Sequence, residues 1–137
     1  MKKLLQKRLN NEKGLTLVEL LAVIVILGII AAIAIPSIGG IIQGSREKAV
    51  IADAQNTLSA ANLYFVDNNS KDTDKVEIAD LIADGFMEDA GQLDSATVTK
   101  TTGGNTITFS GKAGTKTVSG TTLTKTDLNE KENVTVN

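Results

Sequence analysis

The sequence predicts an α+β protein, with one long amino-terminal helix packed on a small antiparallel sheet. Three observations predict it. Of the 28 residues 15–42, 21 are apolar. This run leads into Ile51, Ala54, Leu58, Ala61 and Phe65, whose spacings of 3, 4, 3 and 4 form one helical stripe. Beyond residue 95 the period falls to two, and 13 of the last 43 residues are threonine, as suits a sheet wet on one face.

At 137 residues the chain suits one domain. It has no cysteine and no histidine, which excludes disulfides, thiolate nucleophiles, histidine bases and His/Cys metal sites. The net charge of −2 conceals a division. Lys2, Lys3, Lys7, Arg8 and Lys13 against Glu12 give residues 1–14 a charge of +4, and 9 basic against 15 acidic side chains give the rest −6. A basic tip before an apolar run predicts a tip that stays cytoplasmic.

The elements follow in order. Residues 20–45 carry no charge over 26 positions, and about 20 apolar residues cross a bilayer core. Pro36, the single proline, removes a backbone hydrogen bond. With Gly39, Gly40 and Gly44 close behind, a bend or locally weak helix is expected over residues 35–44. A helix over residues 15–66 would hold 52 residues and run roughly 78 Å. Residues 67–75 form a polar break. Ile78, Leu81 and Ile82 predict a short helix over residues 75–84 that closes one sheet edge, with Gly85 as its C-cap. Strands are expected around residues 96–99, 106–110 and 117–118, with further candidates at 121–126 and 134–136, giving a sheet of three or four. Gly103-Gly104-Asn105 signals a hairpin turn. Val98, Ile107, Phe109, Val118 and Leu123 are the expected sheet contribution to the core, and Phe86 and Met87 also read as core.

The junction Lys13-Gly14-Leu15-Thr16-Leu17-Val18-Glu19 is the most informative segment. An ionisable residue in an apolar run is costly and marks a functional candidate. A basic leader ending in Gly14, then Leu15-Thr16-Leu17-Val18-Glu19 and an apolar helix, resembles the cleavage and methylation signature of type IV pilins and pseudopilins. Pro36 falls where such pilins commonly carry a helix-distorting proline. Leu15 departs from the phenylalanine usual in the family. The likeness covers residues 1–66.

That resemblance implies a lollipop-shaped pilin fold and three segments: a leader, residues 1–14; a transmembrane and assembly half-helix, residues 15–44; and a globular head, residues 45–137. It implies cleavage after Gly14 by a prepilin peptidase, N-methylation of Leu15, and assembly through Glu19 and Pro36. Glu19 of one subunit would neutralise the Leu15 amine of a neighbour, and the weak helix around Pro36 would partly unwind on packing. The implied function is structural, not enzymatic: a major pilin of a type IV pilus or type IV-like surface filament. The alternatives are a pseudopilin of a competence or type II secretion system and a membrane-anchored module that never polymerises. The implied partners are further copies of the chain, the peptidase/methyltransferase, a membrane assembly platform, minor pilins and, before assembly, the membrane. The implied location is a bacterial cytoplasmic membrane as a single-pass precursor, then the cell surface.

Other signals carry less. Ala32-Ile33-Ala34 resembles an ordinary signal-peptidase site, but Glu19 and the long apolar run argue against it. A lipoprotein would need a cysteine, and a sortase-built pilus an LPxTG-like sequence. Asp67, Asn69, Asp72 and Asp74 lack the glycine and distal glutamate of a calcium loop, and read as a turn-rich linker. No metal or cofactor is expected. Tyr64 reads as a packing or surface residue. Scattered lysines on an acidic chain do not favour nucleic acid.

Overall fold

The computed structural model of the chain describes residues 1–8 and 16–137. Helix α1 (Lys2–Asp67) opens the chain. The fold divides into two compact units, Met1–Ile41 and Ile42–Asn137. The first consists of α1 alone. α1 continues as helix through Pro36, Gly39, Gly40 and Gly44, so the expected local weakness does not interrupt it. One proline removes one N–H donor, and the surrounding helical hydrogen bonds remain.

The second unit packs the rest of α1 on a five-stranded antiparallel sheet in the order β1-β2-β3-β4-β5. The strands are β1 (Lys75–Glu77), β2 (Leu93–Thr99), β3 (Thr106–Ala113), β4 (Lys116–Leu123) and β5 (Val134–Val136). Two short helices accompany them, α2 (Ile78–Ala83) and α3 (Lys125–Glu130). The expected stripe Ile51, Ala54, Leu58, Ala61 and Phe65 is buried, joined by Val50 and Ala60. It meets Val98, Ile107, Phe109, Val118 and Leu123, all buried as expected, and the unexpected Leu93, Ala113 and Leu128. Phe86 and Met87 are partly buried against this core. Tyr64 is too, with edge-on contacts to Phe65 and Phe86. Thr57, fully buried on the same helix, satisfies its hydroxyl by donating to the Asp53 carbonyl at 2.8 Å.

Polar rungs fasten α1 to the sheet, to α3 and to the loop before β3. The Gln43 amide donates to the Ala113 carbonyl (2.8 Å), the Gln55 amide donates to Asn129 (2.9 Å), and the Asn62 side chain accepts from Asn105 (2.6 Å). Two glycines permit close approach. A Cβ on Gly111 would stand 2.6 Å from the Gln92 carbonyl and 2.8 Å from Val50, and one on Gly120 would meet Leu123 and Phe109.

Three elements differ from expectation. Residues 75–77 form strand, not helix, because Val76 pairs with Val98 and is buried on the sheet's free edge. That contact outweighs a local helical preference. The sheet has five strands, because β1 and β5 extend it at both edges. The strand expected over 121–126 ends at Leu123, and α3 follows. There Thr124 and Asp127 form a reciprocal cap: the Thr124 N–H donates to the Asp127 carboxylate at 2.7 Å and the Thr124 hydroxyl accepts from the Asp127 N–H. Between β3 and β4 the register shifts from Ile107↔Leu123 to Phe109↔Gly120. Thr122 absorbs the extra residue at φ 57, its N–H donating to the Thr108 hydroxyl at 3.1 Å. The C-cap of α2 is Asp84, one residue before the expected Gly85, and Gly85 follows it in the left-handed conformation at φ 79.

The acidic linker is laced to the turn between β2 and β3. The Thr73 N–H donates to the Lys100 carbonyl, and the Lys100 N–H donates to the Asp74 carbonyl (2.9 and 2.8 Å). Asp72 accepts from the Thr102 hydroxyl, and Asp74 from the Lys71 N–H at 2.6 Å.

Replacing Gly111 by Ala forces a methyl group against a backbone carbonyl that cannot rotate away. The expected cost is about 1–3 kcal/mol, read from denaturant unfolding followed by Tyr64 fluorescence. Hydrogen bonds from the Thr124 N–H and then its hydroxyl hold the Asp127 carboxyl below its ordinary value of 3.8, against a smaller opposing effect of burial. The stabilisation is complete above that ordinary value and is lost as pH falls through the lower folded value. Acidification below pH 3.8 should therefore fray the first turn of α3. Asp127→Asn should abolish this acid dependence in the Leu128 amide resonance.

Candidate functional site on the amino-terminal helix

The first unit exposes apolar side chains on every side of α1. Leu17, Val18, Leu20, Leu21, Val23 and Ile24 are each more than half exposed. Consecutive helical residues point about 100° apart, so these positions encircle the axis. A helix apolar all round must be covered by protein or by lipid. Among the described residues, Thr16–Asp67 is long and apolar enough to cross a membrane.

Glu19 interrupts that surface. It is exposed on α1 between Val18 and Leu20. Once its neighbours are covered by hydrocarbon or by other helices, its carboxylate requires a cation or a hydrogen-bond donor. Pro36 also lies on α1, exposed, 17 residues and therefore about 26 Å further along. Having no N–H, it leaves the Ala32 carbonyl without its helical donor. Glu19 and Pro36 are thus two separate positions on one helix. The expected junction Gly14–Leu15 lies outside the described residues.

The second unit holds a feature that sequence reasoning missed, an open groove of about 400 Å³ between α1 and the loop after α2. Asp53, Leu63, Phe86, Met87, Glu88 and Asp89 are among its lining residues. The Asp53 carboxylate accepts from the Gln92 N–H at 2.8 Å, and Asp89 from the Gly91 N–H at 2.7 Å. Gly91, at φ 59, lies so close to Asp53 that a Cβ would collide with the carboxylate. Docking of the Asp89-Ala90-Gly91 turn on Asp53 left no local signal, because the contact spans 39 residues. Among the described residues no group of three or more His, Cys, Asp or Glu is arranged to hold a metal ion.

The structure thus defines a class by two features, a helix long and apolar enough to cross a membrane with one carboxylate near the start of its apolar run, and a small α+β unit that follows. Comparison with known proteins narrows the class. Residues 9–35 match the family described as the prokaryotic N-terminal methylation motif. The chain is similar to the type IV wide pilus major component PilA4 of Thermus thermophilus, 33% identical over 73 residues, which cover 53% of this chain and 56% of the relative. It is similar to the type II secretion system core protein G of Pectobacterium carotovorum, 34% identical over 59 residues (43% of this chain, 38% of the relative). The same protein of Aeromonas hydrophila is 35% identical over 65 residues (47% and 44%). The chain thus spans about half the length, or less, of these curated relatives. No solved structure matches. The motif and the relatives together make the chain similar to type IV pilins and type II secretion pseudopilins over its amino-terminal half.

Asp53→Ala removes the acceptor that ties the loop after α2 to α1. A hydrogen bond to a charged group contributes about 1.5–3 kcal/mol, so exchange of the Gln92 amide should quicken by roughly one to two orders of magnitude. Hydrogen exchange at that amide measures it.

Proposed function

We propose that this chain is the structural subunit of a type IV pilus or type IV-like surface filament. The observation that carries the reading is Glu19, one carboxylate near the start of an exposed apolar helix and inside the matched methylation motif. In this reading a prepilin peptidase cuts after Gly14 and removes residues 1–14. The new amine on Leu15 is methylated and begins a mature chain of net charge −6. An ammonium and a carboxylate in a low-dielectric bundle are each costly alone and attract strongly when close. Glu19 of one subunit therefore pairs with the Leu15 amine of a neighbour and sets the axial register between helices. The leader has to go because it occupies that amine.

The apolar half of α1, residues 15–44, then serves two surroundings in turn. It faces lipid in the precursor and equivalent helices in the filament. Both are apolar, so transfer costs little. Pro36 and the nearby glycines mark where the helix is cheapest to unwind when subunits pack. The subunit passes from a single-pass place in the bacterial cytoplasmic membrane to the cell surface, with its peptidase, a membrane assembly platform, minor subunits and copies of itself as partners. Similarity to core protein G of type II secretion supports a second reading, a pseudopilin of a secretion system.

Mass spectrometry of material sheared from cells tests the reading. The expected terminal peptide begins at methylated Leu15. An intact Met1 found only in membranes overturns it in favour of an anchored module. Glu19→Val should still insert in the membrane but lower filament yield at least about tenfold, the effect of stranding one buried charge. Normal yield from that variant would sink the register role.

A further inference from the structure

The charges of the second unit are segregated. Residues 95–126 contain Lys100, Lys112, Lys116 and Lys125 and no acidic side chain. Two of these, Lys112 and Lys116, flank the tip of the β3–β4 hairpin, where Ala113 pairs with Lys116. The fold brings that tip to the first residues of the unit. The Gln43 amide donates to the Ala113 carbonyl at 2.8 Å, and a Cβ on Gly114 would stand 2.7 Å from the Arg46 guanidinium. Gly114 itself takes φ 69, so the turn is built for close approach. Arg46, Lys48, Lys112 and Lys116 are all exposed. Glu47 is the one acid among them, already engaged by the Gln43 amide at 3.2 Å, and Asp94 flanks the cluster on β2 beside Leu93, the partner of Gly111. Elsewhere residues 42–137 hold five basic and 13 acidic side chains, so the cluster is an island of positive charge on an acidic unit.

Its place in the chain gives the island a partner. Gln43 directly follows Ile42, the last residue of the apolar run, and Arg46 stands four residues beyond Ile42. At about 1.5 Å per helical residue, the cations begin about 6 Å from the end of the run. That lies within the headgroup layer, which adds roughly 5–8 Å to each side of the hydrocarbon core. It is also within one Debye length, about 8 Å at physiological salt. We propose that Arg46, Lys48, Lys112 and Lys116 form a docking surface for anionic lipid headgroups, by which the hairpin tip rests on the membrane surface before assembly. The proposal rests on the reading that the apolar run lies in the membrane. Lysine and arginine side chains beside a membrane gain from anionic lipid, and the gain falls with salt.

The full chain in proteoliposomes tests it, with an environment-sensitive dye on Thr115→Cys. Vesicles of phosphatidylcholine alone are compared with vesicles containing one quarter phosphatidylglycerol. The dye should be shielded from an aqueous quencher only with phosphatidylglycerol, and 0.5 M salt should abolish the shielding. Adding Lys112→Glu and Lys116→Glu should abolish it too, and Lys112→Gln with Lys116→Gln should weaken it roughly tenfold or more, at about fivefold per cation. Equal shielding in both lipids, or shielding that survives the double charge reversal, overturns the proposal. Shielding that follows protein density and not lipid charge also overturns it, in favour of contact with a second copy. A second dye on Val25→Cys separates the premises. If it is shielded in both lipids while Thr115 is indifferent, the docking surface alone fails; if it is open to the quencher, the membrane reading fails with it.

Discussion

The second unit depends on the burial of one stripe of α1. Val50, Ile51, Ala54, Leu58, Ala60, Ala61 and Phe65 are the helix's share of the core. A fully buried Leu, Ile or Phe contributes about 1.5–3 kcal/mol through removal from water. The small residues in the stripe are as important as the large ones. Ala54 and Ala61 let the helix lie close, and Gly111 meets Val50 with bare backbone. The rungs at Gln43, Gln55 and Asn62 then fix the helix along its own axis, because each pairs with a different place, the end of β3, α3 and the loop before β3. The apolar contact holds the helix down; the amides decide where along the sheet it stops.

The same helix obeys a different rule before Ile42. There the apolar residues encircle it, and no face is reserved for a sheet. One continuous element thus carries two patterns, an all-round surface and a single stripe. The change falls where the charged residues return, at Arg46 and Glu47. A segment with no preferred face tolerates any equivalent apolar neighbour, while a stripe specifies one sheet. The fold of the second unit therefore does not depend on what covers the apolar run.

Much of this was legible in the sequence, for physical reasons that differ by element. The α1 stripe and the five sheet core residues were legible because burial of a regular element imposes a period that survives in one dimension. Gly85 was legible because few residues accept its conformation. The strand at 75–77 was not, since its stability comes from Val98, 22 residues on. The start of α3 carried a local signal in Thr124 and Asp127, but a threonine-rich run also reads as strand, and only the cap geometry separates the two. Glu19 stood out because charge in an apolar run is rare. The groove at Asp53 and the basic hairpin tip were both hidden, because each is assembled from segments far apart in the chain.

The sheet edges have a further consequence. β1 and β5 are three residues long, and the charged Lys75 and Glu77 bound the first of them. An edge strand offers unpaired backbone donors and acceptors to any neighbour, and brevity and charge are the ordinary defences against that. Copies of the chain brought side by side at high local density would otherwise knit their sheets into one ribbon. With edges this short, crowding can continue without fusion, and the packing of neighbours is left to side chains, whose contacts can be undone.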